Sequence, residues 1–273
     1  MKLSGVLCLV LAAGMTAAAI LGPLVLGVIE FHVSSSARGQ LVGGEVASLA
    51  LAAPIALAAG VLWLLDRPLA PMLTFAPALY AVYMYTQYVL GPEYQRYPGN
   101  NEYAFPLYAG LVLVGWILAA RAWHDVGSAQ LPPLSNRLRL SIAGAFLLSS
   151  ALFAAAWLGG TVSLLRGAPP AGYADDPTLF WLVRFMDLTL VIPAAVFTAV
   201  AVLRQWTWST PAAIALVGFE ALLVAAVAGM AAMMVVRHDP GASRPLAGAT
   251  SALTLVLLVS YAAILVRVCR RVS

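Results

Sequence analysis

Eight apolar runs, each bounded by charge, proline or glycine, reach or approach the roughly 20 residues that a helix needs to cross a bilayer. They fall at 4–28, 46–65, 69–90, 105–121, 140–165, 178–203, 211–236 and 247–267. One water-soluble core cannot hide them: of 273 residues 62% are hydrophobic and 10% charged, whereas a soluble domain has roughly 45–50% and about 25%. With no water in the hydrocarbon region, a chain must satisfy its own backbone polar groups, and a helix does so within each run. The expected fold is an all-α membrane protein with eight transmembrane helices, its first partner the lipid bilayer.

The chain also resembles itself. Displaced by 137 residues, "LSGVLCLVLAAGMTAAAILGPLV" from Leu3 lies on "LSIAGAFLLSSALFAAAWLGGTV" from Leu140 without a gap. Leu3, Ser4, Leu11, Ala17, Ala18, Ala19, Leu21, Gly22 and Val25 recur identically, and Arg67 falls on Arg204. This predicts two parallel four-helix repeats, 1–137 and 138–273, related by an axis along the membrane normal. Lys2, an apolar centre and small residues at 17–19 would also suit a cleaved secretory signal. The match to the fifth run argues instead that this segment stays in the membrane.

Charge sets the orientation. With the N-terminus inside, the inner connections hold Lys2, Arg67, Arg121, Arg137, Arg139, Arg204, Arg267, Arg270 and Arg271. The outer ones hold Arg38, Arg96, Arg166, Arg237 and Arg244, so both termini are expected in the cytoplasm. Seven acids, Glu30, Glu45, Glu93, Glu102, Asp175, Asp176 and Asp239, are assigned to the outer connections. Trp206 and Trp208 read as an inner interfacial belt. The arginines are scattered among connections rather than massed, which speaks against nucleic acid as a partner.

Three ionisable residues interrupt the apolar runs. Arg184 and Asp187 lie in "FWLVRFMDLTLVIPAA", and Glu220 in the seventh run. At 1.5 Å per residue, Asp187 lies about 15 Å along its helix, and Glu220 about 14 Å along the next from the opposite side. Charge at that depth should face protein or water. Arg184 and Asp187, three residues apart, share a helical face and can pair. Tyr80, Tyr83 and Gln87 form a polar stripe on the third run, and Tyr83 is the repeat counterpart of Glu220. These six residues are the candidate ligand-binding set. The counterparts of Arg184 and Asp187 are Ala47 and Ala50, so the charges belong to the second half alone.

Other chemistries find less support. A single lysine, Lys2, leaves no intramembrane Schiff base, and His32, His124 and His238 lie in or beside connections, which disfavours a haem. Cys8 and Cys269 have neither disulfide nor zinc spacing. Glu30, His32, His238 and Asp239 share the outer side, but their spacing matches no metal motif, and no metal or cofactor is expected. No GxSxG, HExxH, P-loop or GxGxxG occurs. The outer segment "GPEYQRYPGNNEYAFP" can act as a lid or as a plain structured turn.

"MDLTLVIPAAVFTAVAVLRQ", with an acid six residues before Pro193, resembles a segment of uncharacterised bacterial multi-pass membrane proteins. The resemblance covers little more than one helix and implies a bacterial inner-membrane setting without an activity. Three readings stay open: a protein that binds or transports a small molecule or cation between its halves, a non-catalytic subunit or sensor docking a membrane-protein partner, and an enzyme acting on lipid or quinone.

Overall fold

The computed structural model describes residues 2–128, 131, 134–170, 172–239 and 242–272. The side chains of Cys269, Arg270 and Arg271 lie outside the described set. Among the described residues the fold is all-helical, without strands. The eight long helices are α1 (Lys2–Leu21), α2 (Ser35–Leu64), α3 (Leu69–Leu90), α4 (Phe105–Ser128), α5 (Asn136–Leu165), α6 (Pro177–Arg204), α7 (Ser209–Val236) and α8 (Arg244–Val272). Seven are long and apolar enough to cross a membrane; α3 is not among them. Its tyrosines, Thr74 and Gln87 dilute its hydropathy, and most of its length is buried against other helices rather than turned to lipid.

The largest departure from expectation is α2, which begins at Ser35 rather than near residue 46. Gly39, Gly43, Gly44 and Glu45 read as a connection because glycine and charge weaken a helical pattern. Here glycine serves close packing instead: a Cβ on Gly43 would overlap the backbone carbonyl of Gly229 on α7. Glu45 is therefore not an outer-loop acid but a helical residue only 1% exposed. Conversely, α1 ends at Leu21, short of the expected 28, where Gly22, Pro23 and the positive φ of Gly27 turn the chain.

Two helices carry a five-residue π turn, α2 at Ser48–Ala52 and α6 at Asp187–Val191. Each is followed by a proline, Pro54 and Pro193, six residues after the turn's first residue. Proline has no N–H and its ring crowds the carbonyl one turn back, so widening the helix there relieves both problems. The bundle centres on α3, which packs on α2, α4 and α7, while α2 and α7 cross at Gly43 and Gly229. α5 and α8 are peripheral. On the inner expected side, Phe197, Trp206 and Trp208 form an aromatic cluster at the turn after α6.

The other end is closed by an ordered cap. Segment 28–34 lies along 93–102: Glu30 N–H donates to Asn100 Oδ1, Asn100 N–H to the Glu30 carbonyl, and Glu93 N–H to the His32 carbonyl. Asn101 accepts from His32 N–H and donates to the Tyr88 carbonyl. The cap also grips the second half. Ser34, the residue capping α2, gives its N–H and hydroxyl to the two oxygens of Asp176, which stands at the start of α6. Arg96 donates to the Ala174 carbonyl, Tyr97 to the Asp175 carbonyl, and Thr178 N–H to Glu93.

His32 is the cap's pH-sensitive element. Its ring nitrogens lie 2.5 Å from the Tyr97 carbonyl and 2.8 Å from the Glu102 carboxylate. Both partners accept, so only the doubly protonated ring satisfies both. Burial opposes that charge, but the Tyr97 carbonyl and Glu102 outweigh it and hold the pKa of His32 above its ordinary 6.5. A base with a raised folded pKa stabilises the fold below its ordinary pKa and loses that contribution as pH rises through the raised value. Amide exchange across 93–102, corrected for intrinsic rates, should therefore quicken several-fold at mildly alkaline pH in wild type. His32→Gln should abolish that pH dependence; a pH-independent wild type would refute it.

Candidate functional site

Asp187 is the first residue of the π turn in α6 and is 9% exposed. Its Oδ1 accepts from the Tyr83 hydroxyl of α3 at 2.5 Å, and its Oδ2 from the Trp157 indole N–H of α5 at 2.8 Å. One carboxylate thus ties three helices together and receives two donors, the arrangement that offsets burial of a charge. Gln87 follows one turn beyond Tyr83 and is buried, and the Tyr83 ring meets Phe219 of α7 edge-on at 5.8 Å.

Arg184 does not pair with Asp187, although the two share a face. Its Nη1 donates to the Phe180 carbonyl at 3.0 Å, and its guanidinium carbon lies 3.2 Å from the Phe180 ring centroid and 4.6 Å from that of Trp157. Cation–π contact and a backbone carbonyl replace the expected ion pair. The buried Nε has no partner. Trp157 therefore separates the two charges, its ring face against Arg184 and its N–H on Asp187.

The remaining predicted residues lie elsewhere. Tyr80 turns away from Tyr83 toward α2, where its hydroxyl lies 2.9 Å from Ser48 Oγ and donates to the Gly44 carbonyl. Glu220 forms no ion pair with Arg184 and has no hydrogen-bond partner among the described residues. Two side chains of the buried polar network escaped the sequence reading. Trp157 reads as one more apolar residue of α5, and its N–H donor is not distinguished there from the hydroxyls of Ser149, Ser150 and Thr161. Glu45 was obscured by the misplaced start of α2.

No cluster of three or more His, Cys, Asp or Glu side chains suited to a metal occurs among the described residues. His32 has both nitrogens engaged within the cap, by the Tyr97 carbonyl and the Glu102 carboxylate. An open apolar groove of about 210 Å³ runs between α2, α7 and α8, lined by Ala47, Ala50, Gly229 and Thr254 among others. It includes none of the six predicted site residues. Comparison of the chain with family models, curated proteins and solved structures finds no match to any of them.

Proposed function

We propose that this is a membrane-embedded binding protein that holds a small polar molecule carrying an anionic group at Arg184, Trp157 and Asp187, and that serves its transport. One observation carries the reading: opposite charges three residues apart remain unpaired, each engaged instead with Trp157. Two adjacent charges in a low dielectric should collapse onto one another unless each has a use apart. Arg184, held against aromatic rings with an unpartnered Nε, offers donors to a carboxylate or phosphate. Asp187 keeps spare lone pairs on both oxygens for a cationic or hydroxyl group of the same ligand. The setting is a bacterial inner membrane with both termini cytoplasmic.

Two features support the repeat arrangement on which the reading builds. The π turn of α6 begins 139 residues after that of α2, two more than the displacement that aligns α1 with α5. Ser48 and Asp187, the first residues of these turns, both meet tyrosines of α3. On that register the counterpart of Asp187 is Ser48 rather than Ala50, and the two halves contribute a hydroxyl and a carboxylate to equivalent places.

The test is thermal stabilisation of the full chain in nanodiscs by a panel of small carboxylates, phosphates and amino acids. At least one should stabilise wild type. Arg184→Gln should lose that response by tenfold or more in apparent affinity, because a charged hydrogen bond contributes about 1.5–3 kcal/mol. Flux of the same compound into proteoliposomes should follow. A panel without effect on wild type, or an undiminished response in Arg184→Gln, refutes the proposal.

A further inference from the structure

A second acid is buried in the first half, with no cation to balance it. Glu45 Oε2 accepts the Leu24 N–H at 3.0 Å, while Oε1 has no partner. Oε1 lies against the end of α1, where a Cβ on Gly22 would overlap it. That is the carbonyl end of a helix, where the dipole is negative and repels a carboxylate. Pro23 has no N–H to give the buried Ala19 carbonyl four residues earlier, which leaves further negative character there.

The surrounding groups add oxygen atoms, not positive charge. Tyr80 of α3 donates to the Gly44 carbonyl, next to Glu45, and Tyr85 and Tyr88 of α3 pack ring against ring with Tyr108 of α4. The hydroxyls of Tyr88 and Tyr108 are buried without a partner, as Glu45 Oε1 is. Their rings lie 5.7 Å apart, and the Tyr88 hydroxyl stands 3.6 Å from where a Cβ would sit on Gly44, the residue before Glu45. From α7, Met230 faces this level, and Arg237 lies against Gly39, six residues before Glu45. α1 presents no titratable side chain at its end, and among the described residues no Lys, Arg or His forms an ion pair with Glu45. Three orphaned oxygens in one buried neighbourhood call for an occupant, because a buried polar group left unsatisfied is costly and a buried charge more so.

We infer that Glu45, with the hydroxyls of Tyr88 and Tyr108, is a binding site for a small monovalent cation, H⁺ or Na⁺, beneath the cap. The cation supplies what the site lacks: it neutralises the carboxylate, and it suits hydroxyl and carbonyl oxygens at a negative helix end. Phe31 packs on Tyr88 and Tyr108 and roofs the cluster, so an occupant exchanges through the cap formed by 28–34 and 91–104. The inference is independent of the Arg184 site.

Difference infrared spectroscopy of the full chain in nanodiscs tests it without any variant. In Na⁺-free buffer a protonated carboxylic-acid band is expected. It should vanish on raising the pH if the occupant is a proton, and also at constant pH when NaCl replaces choline chloride if Na⁺ competes. Glu45→Gln should lose the Glu45 component of that band and leave any contribution of Asp187 and Glu220 in place. Should this variant fail to accumulate, Tyr108→Phe keeps the carboxylate and should move the midpoint of the observed titration by about tenfold, the value of one hydrogen bond to a charged group. A band undiminished in Glu45→Gln, a wild-type spectrum insensitive to both pH and Na⁺, or an unmoved midpoint in Tyr108→Phe would overturn the site.

Discussion

Replacing Gly43 with leucine should destabilise the protein by about 3 kcal/mol or more, at the upper end of the range for overpacked cores. A Cβ at this position would overlap the carbonyl carbon and oxygen of Gly229 and the Met230 nitrogen. Those are backbone atoms of α7, which cannot rotate aside as a side chain can. The two helices would have to separate, and α2 would lose contact with α7 along much of its first half. Close approach of small residues is what holds helices together in lipid, where burial of apolar surface supplies no driving force. Gly110→Ala and Gly144→Ala are the matched controls. Neither position has an atom within 4 Å of a built Cβ, and alanine there should be neutral or stabilising by about 0.5–1 kcal/mol. Reversible unfolding in detergent measures all three; equal stability of Gly43→Leu and wild type would remove the α2–α7 crossing from the fold.

The second large effect is expected at Asp187. Leucine there leaves the Tyr83 hydroxyl and the Trp157 indole N–H without an acceptor. Each orphaned buried donor costs about 1–3 kcal/mol in water-soluble proteins, while interhelical polar contacts in membranes average about 0.6 kcal/mol. A loss of about 2 kcal/mol is therefore expected for Asp187→Leu, and less for Asp187→Asn, whose amide oxygen still accepts one bond. A double-mutant cycle between Tyr83→Phe and Asp187→Asn should give a coupling of about 1 kcal/mol. Coupling indistinguishable from zero would mean that α3 and α6 are joined by packing alone, and the polar bridge would be incidental. The stability readout separates this role from ligand binding, which is followed at Arg184.

The two acids show why one was legible in the sequence and the other was not. Asp187 stands inside an unbroken apolar run, where a charge is conspicuous because hydrocarbon tolerates it so poorly. Glu45 follows two glycines and precedes an apolar run, so the local pattern reads as a connection. Only the approach of α7 shows that those glycines make room for a backbone rather than a turn. The stripe of Tyr80, Tyr83 and Gln87 was legible as periodicity, yet periodicity places residues on a face and does not say which neighbour each will meet. Tyr80 goes to α2 and Tyr83 to α6, because α3 packs against both of those helices.

By itself the amino-acid sequence determined the medium, the helical class and the approximate spans. Those follow from transfer of apolar surface and from the need to satisfy backbone hydrogen bonds, both of which are local or additive along the chain. Tertiary structure alone decided which charges meet. Arg184 and Asp187 were three residues apart and free to pair, but Trp157 from another helix took one oxygen of the acid and offered its ring to the cation. Pairing energies in a low dielectric turn on ångströms between groups distant in sequence, and helical spacing does not carry that information.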